Sequence, residues 1–284
     1  MANILSISSQ VVHGFVGNNV VGFALRRKGH QVWELPTVLL SNHAGHKIFG
    51  GARLNSKQLR PVLESLEFAG HLKKVDAVIT GYLPTREHVF IALDALRQVR
   101  RLNPKAVYLL DPTMGDDSRP GRPEGLFIDV KAAECQRTEL LPLADMITPN
   151  RFELEWLTMR PVMDEETALA AIDQLGVDHV LLTSLPGQPG TLSNLLVGED
   201  RPLLSTVKDL GLVPHGSGDL MAALYLGALL EGQTQAQALG LATAGVEAAL
   251  RGSLEHDELQ LIATQDGWSS VAPAPVSTLA YSLA

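Results

Sequence analysis

The sequence predicts an α/β protein with a mainly parallel central sheet flanked by helices. Three observations carry this. Short β-rich runs alternate with longer stretches of helical period. Parallel strands need long crossovers, which helices supply. The 16 prolines and 25 glycines gather at the connections, and no repeat, low-complexity tract or linker divides the chain. Residues 1–284 are therefore expected to form one domain, with enough chain to bury a substantial core.

Asn3 to Ser8 reads as a strand, Asn18 to Lys28 as a helix and Gln31 to Leu35 as a second strand, a βαβ opening. Asp76 to Thr80 is the next strand, followed by a helix from Glu87 to Arg101. The strand Ala106 to Leu110 then stops at Asp111-Pro112, because proline has no N–H for a ladder. Glu165 and Glu166 open a helix, where acidic groups favour the dipole. Val180 to Thr183 is a strand, and Leu192 to Val207 a hairpin turning at Gly198-Glu199-Asp200. Helices start at Leu220 and Thr234, and residues 266–284 are expected to be irregular. Leu220 to Leu230, the longest apolar stretch, is shorter than the roughly 20 residues a bilayer span needs, so it predicts a buried helix. Trp33, Phe152 and Trp156 are expected to pack in or near the core.

Lys and Arg number 23 against 31 Asp and Glu, a net charge of −8, which disfavours a nucleic-acid partner. Cys135 is the one cysteine, which excludes an intrachain disulfide framework, an all-cysteine zinc site and a CxxC redox site, and suits a cytoplasmic setting. The first residues lack a basic stretch and their apolar run is broken by serines, so neither an export signal nor a membrane association is expected.

Chemistry concentrates in a few segments. Pro214-His-Gly216-Ser217-Gly218-Asp219 leads into the apolar helix, and its glycines allow a sharp turn that aims backbone N–H groups at an anion. Asp219, beside that site, is placed to accept a proton from an attacking hydroxyl; the competing reading is an ordinary helix cap. Asn150 and Glu153, three apart at a helix start, suit either a capping box or Mg²⁺ held through water and phosphate oxygens. Asp111 adds an acid at a strand end. The loop Gly115 to Gly125, rich in Gly, Pro and charge, is a candidate lid because ligands of open α/β sheets bind at the carboxyl ends of strands. His43 and His46 lie three apart with no third ligand evident nearby, so a zinc site is not expected.

Taken in order, Ser6-Ile-Ser-Ser9-Gln-Val-Val-His-Gly14-Phe-Val-Gly17-Asn18, Leu40-Ser-Asn-His43, Gly81-Tyr82-Leu83, Asp111-Pro-Thr-Met-Gly115-Asp116, Thr148-Pro-Asn-Arg-Phe-Glu153 and Gly216-Ser-Gly-Asp219 resemble the pyridoxal kinases of the ribokinase superfamily across nearly the whole chain. The resemblance implies a ribokinase-like three-layer fold and ATP-dependent phosphorylation of the 5′-hydroxymethyl group of pyridoxal and its relatives. It implies Asp219 as the base, with Gly216, Ser217 and Gly218 as the anion hole. Ser9, Val16, His43, His46 and Tyr82, with Asp219, fall at the substrate. Asp111, Asp116, Thr148, Glu153, Thr183 and Ser184 fall at the nucleotide, and Asn150, Glu153 and Asp111 at Mg²⁺. ATP and Mg²⁺, a monovalent cation such as K⁺, and a homodimer are the expected partners. Ala44, His46, His215 and Ser217 depart from the commoner residues of that family, Ala44 and Ser217 from a threonine. A hydroxymethylpyrimidine kinase and a non-catalytic vitamin B6 binder on the same fold are the rival readings.

Overall fold

The computed structural model describes residues 1–117, 125–211 and 214–279. The expected lid falls mostly on 118–124, outside those residues. The strands are β1 (Asn3–Val11), β2 (Gln31–Leu40), β3 (Gly51–Arg53), β4 (Ala77–Thr80), β5 (Val107–Leu110), β6 (Gly115–Asp116), β7 (Gly125–Leu126), β8 (Met146–Ile147), β9 (Val180–Pro186), β10 (Thr191–Val197), β11 (Leu203–Lys208) and β12 (Ser277–Thr278). All but β6 and β7 join one sheet in the order β12-β11-β10-β9-β8-β5-β4-β1-β2-β3. From β9 to β2 every pairing is parallel, and both margins are antiparallel. The ribbon of β6 and β7 stands apart, its antiparallel strands being the two ends of the expected lid.

Helices α1 (Asn18–Arg27), α2 (Ser56–Phe68), α3 (Arg86–Leu102), α4 (Val130–Cys135), α5 (Arg151–Thr158), α6 (Glu165–Ile172), α7 (Ser217–Leu230), α8 (Gln235–Arg251) and α9 (Gln265–Ser269) form the outer layers. Alternation along β1 divides the core: Leu5 and Ile7 join Leu63 of α2, Leu96 of α3 and Leu154 of α5, while Ile4 faces Val20 of α1, Leu224 of α7 and Trp268 of α9. Two apolar clusters on opposite faces of one sheet make the three layers that the sequence predicts. Helix α7 is buried along almost its whole length, from Asp219 to Ala228, so its first turn is seated on the packed core. Among the described residues no helix is long and apolar enough to cross a membrane.

Three elements differ from the expectation. Strand β2 continues through Pro36 to Leu40; Pro36 pairs with Ser8 beside a register shift, where a missing N–H is tolerated. Helix α2 carries Pro61 internally, which hides it from periodicity, yet an Asn55–Gln58 capping box and the buried Leu59 and Leu63 hold it. The C-terminal stretch is not wholly irregular: α9 buries Trp268, and β12 pairs with β11.

Candidate active site

A cavity of about 1210 Å³ opens along the carboxyl ends of the parallel strands, and it is lined by every residue the sequence nominated for substrate, nucleotide, metal or catalysis. Ser9, Val16, Tyr82, His43 and His46 line it together with the turn before α7, Asp111, Thr148 and Glu153, and with Thr183 and Ser184 of β9. The residues of Leu192, Asn194, Val207 and Leu250 extend the wall beyond β9.

The turn is built by conformation. Gly216 caps α7 in the left-handed region at φ 97°, and a Cβ there would stand 2.2 Å from the Phe15 carbonyl oxygen. Helix α7 begins at Ser217, so Ser217, Gly218 and Asp219 are its first three residues and their N–H groups have no intrahelical acceptor. Among the described residues nothing lies within 4 Å of a Cβ built on Gly218, which leaves that side of its backbone open to them. An anion at this place meets a glycine-lined helix start and the positive end of a helix dipole.

Asp219 is 8% exposed. Its Oδ2 accepts the Gly17 N–H at 2.9 Å, while Oδ1 has no hydrogen-bond partner among the described residues. Burial raises its carboxyl from the usual range to about 6, with the Gly17 hydrogen bond opposing. Asp111 is driven well above the usual range by burial first, then by the negative charge of Asp219 and Glu153. The Thr113 and Thr148 hydroxyls flank Asp111 without closing a well-aligned hydrogen bond. Three buried carboxyls facing one cavity leave a deficit of positive charge.

Asn150 and Glu153 form the capping box in full. Asn150 accepts the Glu153 N–H at 2.8 Å, and Glu153 Oε2 accepts the Asn150 N–H at 2.9 Å. Glu153 Oε1 takes the Met114 N–H at 2.7 Å, and Asn150 Nδ2 donates to the Gly115 carbonyl at 2.9 Å. Burial raises Glu153 to about 7 against these backbone donors. The pair thus holds β6 and the start of α5 in place, and the capping reading of the sequence is realised in these bonds. Arg151 adds to this by binding Asp117 and Glu155.

Sequence reading missed three contributors. Gly17, which orients Asp219, stood inside a quoted motif but 202 residues from its partner. Thr113 adopts φ 42°, unusual for a β-branched residue and a mark of a constrained site. Glu258 lies 2.7 Å from His46 Nε2 and 3.4 Å from His43 Nε2, supplying the third group that the histidines were expected to lack. Tyr82 is anchored through its N–H on Ser8 Oγ at 3.0 Å, and burial raises its phenol, keeping it neutral.

A helix start capped by Gly216, a buried acid beside it and a long cleft across the strand ends are the arrangement of a small-molecule kinase of the ribokinase type. The chain is 38% identical to a pyridoxal kinase of Rubrobacter xylanophilus over 95% of its length and 94% of the relative's, and 34% identical to one of Corynebacterium diphtheriae over 92% of each. A family model described as phosphomethylpyrimidine kinase matches residues 56–262. The pyridoxal kinase of Leishmania donovani, solved with ADP and pyridoxamine, superposes with a TM-score of 0.90 at 28% identity, covering 98% of this chain and 100% of that one. The chain belongs to the pyridoxal kinase family of the ribokinase superfamily.

Proposed function

We propose that the protein transfers the γ-phosphoryl group of ATP to the 5′-hydroxymethyl group of pyridoxal, and of pyridoxine and pyridoxamine, in the cytoplasm and as a homodimer. The observation that carries the reading is the placement of Asp219, with one oxygen fixed by Gly17 and the other without a partner among the described residues, beside the N–H groups of Ser217 and Gly218 at the start of α7. The heterocycle lies among Ser9, Val16, Tyr82, His43 and His46, and the nucleotide extends over Thr148, Asp116, Thr183 and Ser184. Asp219 accepts the hydroxyl proton as the oxygen attacks phosphorus, and the N–H groups stabilise the charge on the transferring group. The carboxyl cluster fits a divalent cation: Asp111 would hold Mg²⁺, with Asn150 and Glu153 acting through the geometry they impose on β6 and α5. The ion's contribution is charge neutralisation on the phosphates.

Because Asp219 works as a base only when ionised, kcat/KM falls about tenfold per pH unit below an apparent pKa near 6 and is flat above it. Asp111 and Asp219 repel, so this limb belongs to the pair. A pH series from 5 to 8 at saturating MgATP checks it.

The phosphomethylpyrimidine kinase description of the matched family model supports one rival, phosphorylation of hydroxymethylpyrimidine. Coupled ADP release with pyridoxal, pyridoxine, pyridoxamine and hydroxymethylpyrimidine decides between them. Turnover of the vitamers at the higher kcat/KM is expected. A preference for the pyrimidine overturns the substrate assignment, and binding of pyridoxal without ADP release overturns the reaction.

A further inference from the structure

We propose that His43 and His46, which line the cavity, and Glu258 beside them form a binding site for a zinc-class transition metal ion at the cavity's edge, separate from the carboxyl cluster at Asp111. Two imidazole nitrogens and one carboxylate oxygen are one of the donor sets of three-ligand zinc centres, which keep a further position open. The three ligand atoms lie within 4.8 Å of one another, against about 3.4 Å between ligands of a tetrahedral ion. His46, whose side chain is 30% exposed, has room to close that difference by a small rotation.

The carboxylate gives the strongest reason. Glu258 has a side chain 11% exposed; among the described residues its Oε2 has no hydrogen-bond partner, and it pairs with the two histidines. A carboxylate so little exposed is favoured by a neighbouring cation, either a protonated imidazole or a metal. Glycines leave room on both sides. A Cβ on Gly14 would fall 2.4 Å from Glu258 Oε2, and one on Gly45 would fall 2.8 Å from His43 Nδ1 and 2.7 Å from His215 Nε2. The rings of His43 and His46 are 4.2 Å apart, so the loop carrying them is already folded onto Glu258.

Without metal, His43 Nδ1 accepts the Gly45 N–H at 3.1 Å, which puts the ring proton on Nε2. Metal loading at Nε2 moves that proton to Nδ1 and releases the Gly45 contact, with no net change in ring protonation. The ion joins the 43–46 loop to the segment around Glu258, 212 residues away in sequence from His46, at the edge of the cleft.

The test uses the full chain, with Co²⁺ and Zn²⁺ as probes and excess Mg²⁺ present to occupy oxygen-rich sites. Co²⁺ is expected to give the intense visible bands of a four- or five-coordinate ion with nitrogen ligands, and Zn²⁺ to displace it at one equivalent. Glu258→Gln should weaken Zn²⁺ binding by at least about 10–100-fold. Should that variant not fold, as judged by circular dichroism, His46→Ala on the partly exposed loop carries the same expectation. Faint six-coordinate Co²⁺ bands, or Zn²⁺ affinity equal in wild type and variant, would overturn the site and leave a histidine–carboxylate ion pair in its place. None of these readouts depends on turnover, so the result stands apart from the substrate assignment.

Discussion

Asp219→Asn is expected to lower kcat by about 10²–10⁴-fold while leaving ATP affinity within a few-fold of wild type. The amide keeps the one bond that orients the side chain, since its oxygen still accepts the Gly17 N–H. What it loses is the ability to take a proton. The same substitution is expected to raise thermal stability. In the wild type the ionised form is penalised by burial, so its carboxyl is raised from 3.8 to about 6. The sign follows from proton binding: between those two values the folded state holds more protons than the unfolded chain, so stability falls as pH rises through the window. Above pH 6 the penalty is complete, on the order of 1–3 kcal/mol. The variant escapes it, and its advantage in Tm should be present at pH 7 and shrink towards pH 4. Isothermal titration with a non-hydrolysable ATP analogue, single-turnover kinetics and melting curves at pH 4.5 and 7 test the three parts. Near-normal turnover, or a variant less stable than wild type at pH 7, would remove Asp219 from the role assigned to it.

Local chemistry explains which features were legible in the sequence. The turn before α7 announced itself because two glycines meeting an apolar run leave few geometries open, and the capping box at Asn150 announced itself through its spacing of three. Strands of the parallel centre are buried on both faces, so their aliphatic runs were visible too. Contacts across the fold were not. Nothing near His43 hints that Glu258 will reach it, and nothing near Gly17 says that its N–H will hold Asp219, because both pairings depend on how the elements pack. Proline misled in two places for a common reason: at Pro36 and Pro61 the lost hydrogen bond is offset by neighbouring pairing, capping and burial that a single segment does not reveal. Roles for the nominated residues came through resemblance, whereas their meeting at one cavity is a property of the fold.

Gly216→Ala and Gly218→Ala should separate the cost of building the anion cradle from the cost of blocking it. At Gly216 a methyl group would stand 2.2 Å from the Phe15 carbonyl oxygen and 3.0 Å from Leu259 Cδ1, on a backbone held at φ 97°. A left-handed conformation alone costs a non-glycine residue about 1–2 kcal/mol. The clash is with main chain, so the turn has to move, and it carries the N–H groups of Ser217 and Gly218 with it. Displacement of such donors by even an ångström costs about 10²-fold in rate, so Gly216→Ala is expected to lose about 10²–10³-fold in kcat together with several degrees in Tm. Gly218 lies within helix α7 and, among the described residues, has nothing within 4 Å of a built Cβ. Alanine there improves helix propensity by about 0.5–1 kcal/mol, so Tm should hold or rise. Activity should still fall, because the new methyl occupies the open side of the backbone that the transferring group must approach. Stability loss in the first variant and activity loss without it in the second is the expected pattern. If Gly218→Ala is fully active, the phosphoryl group does not lie against this face of the turn.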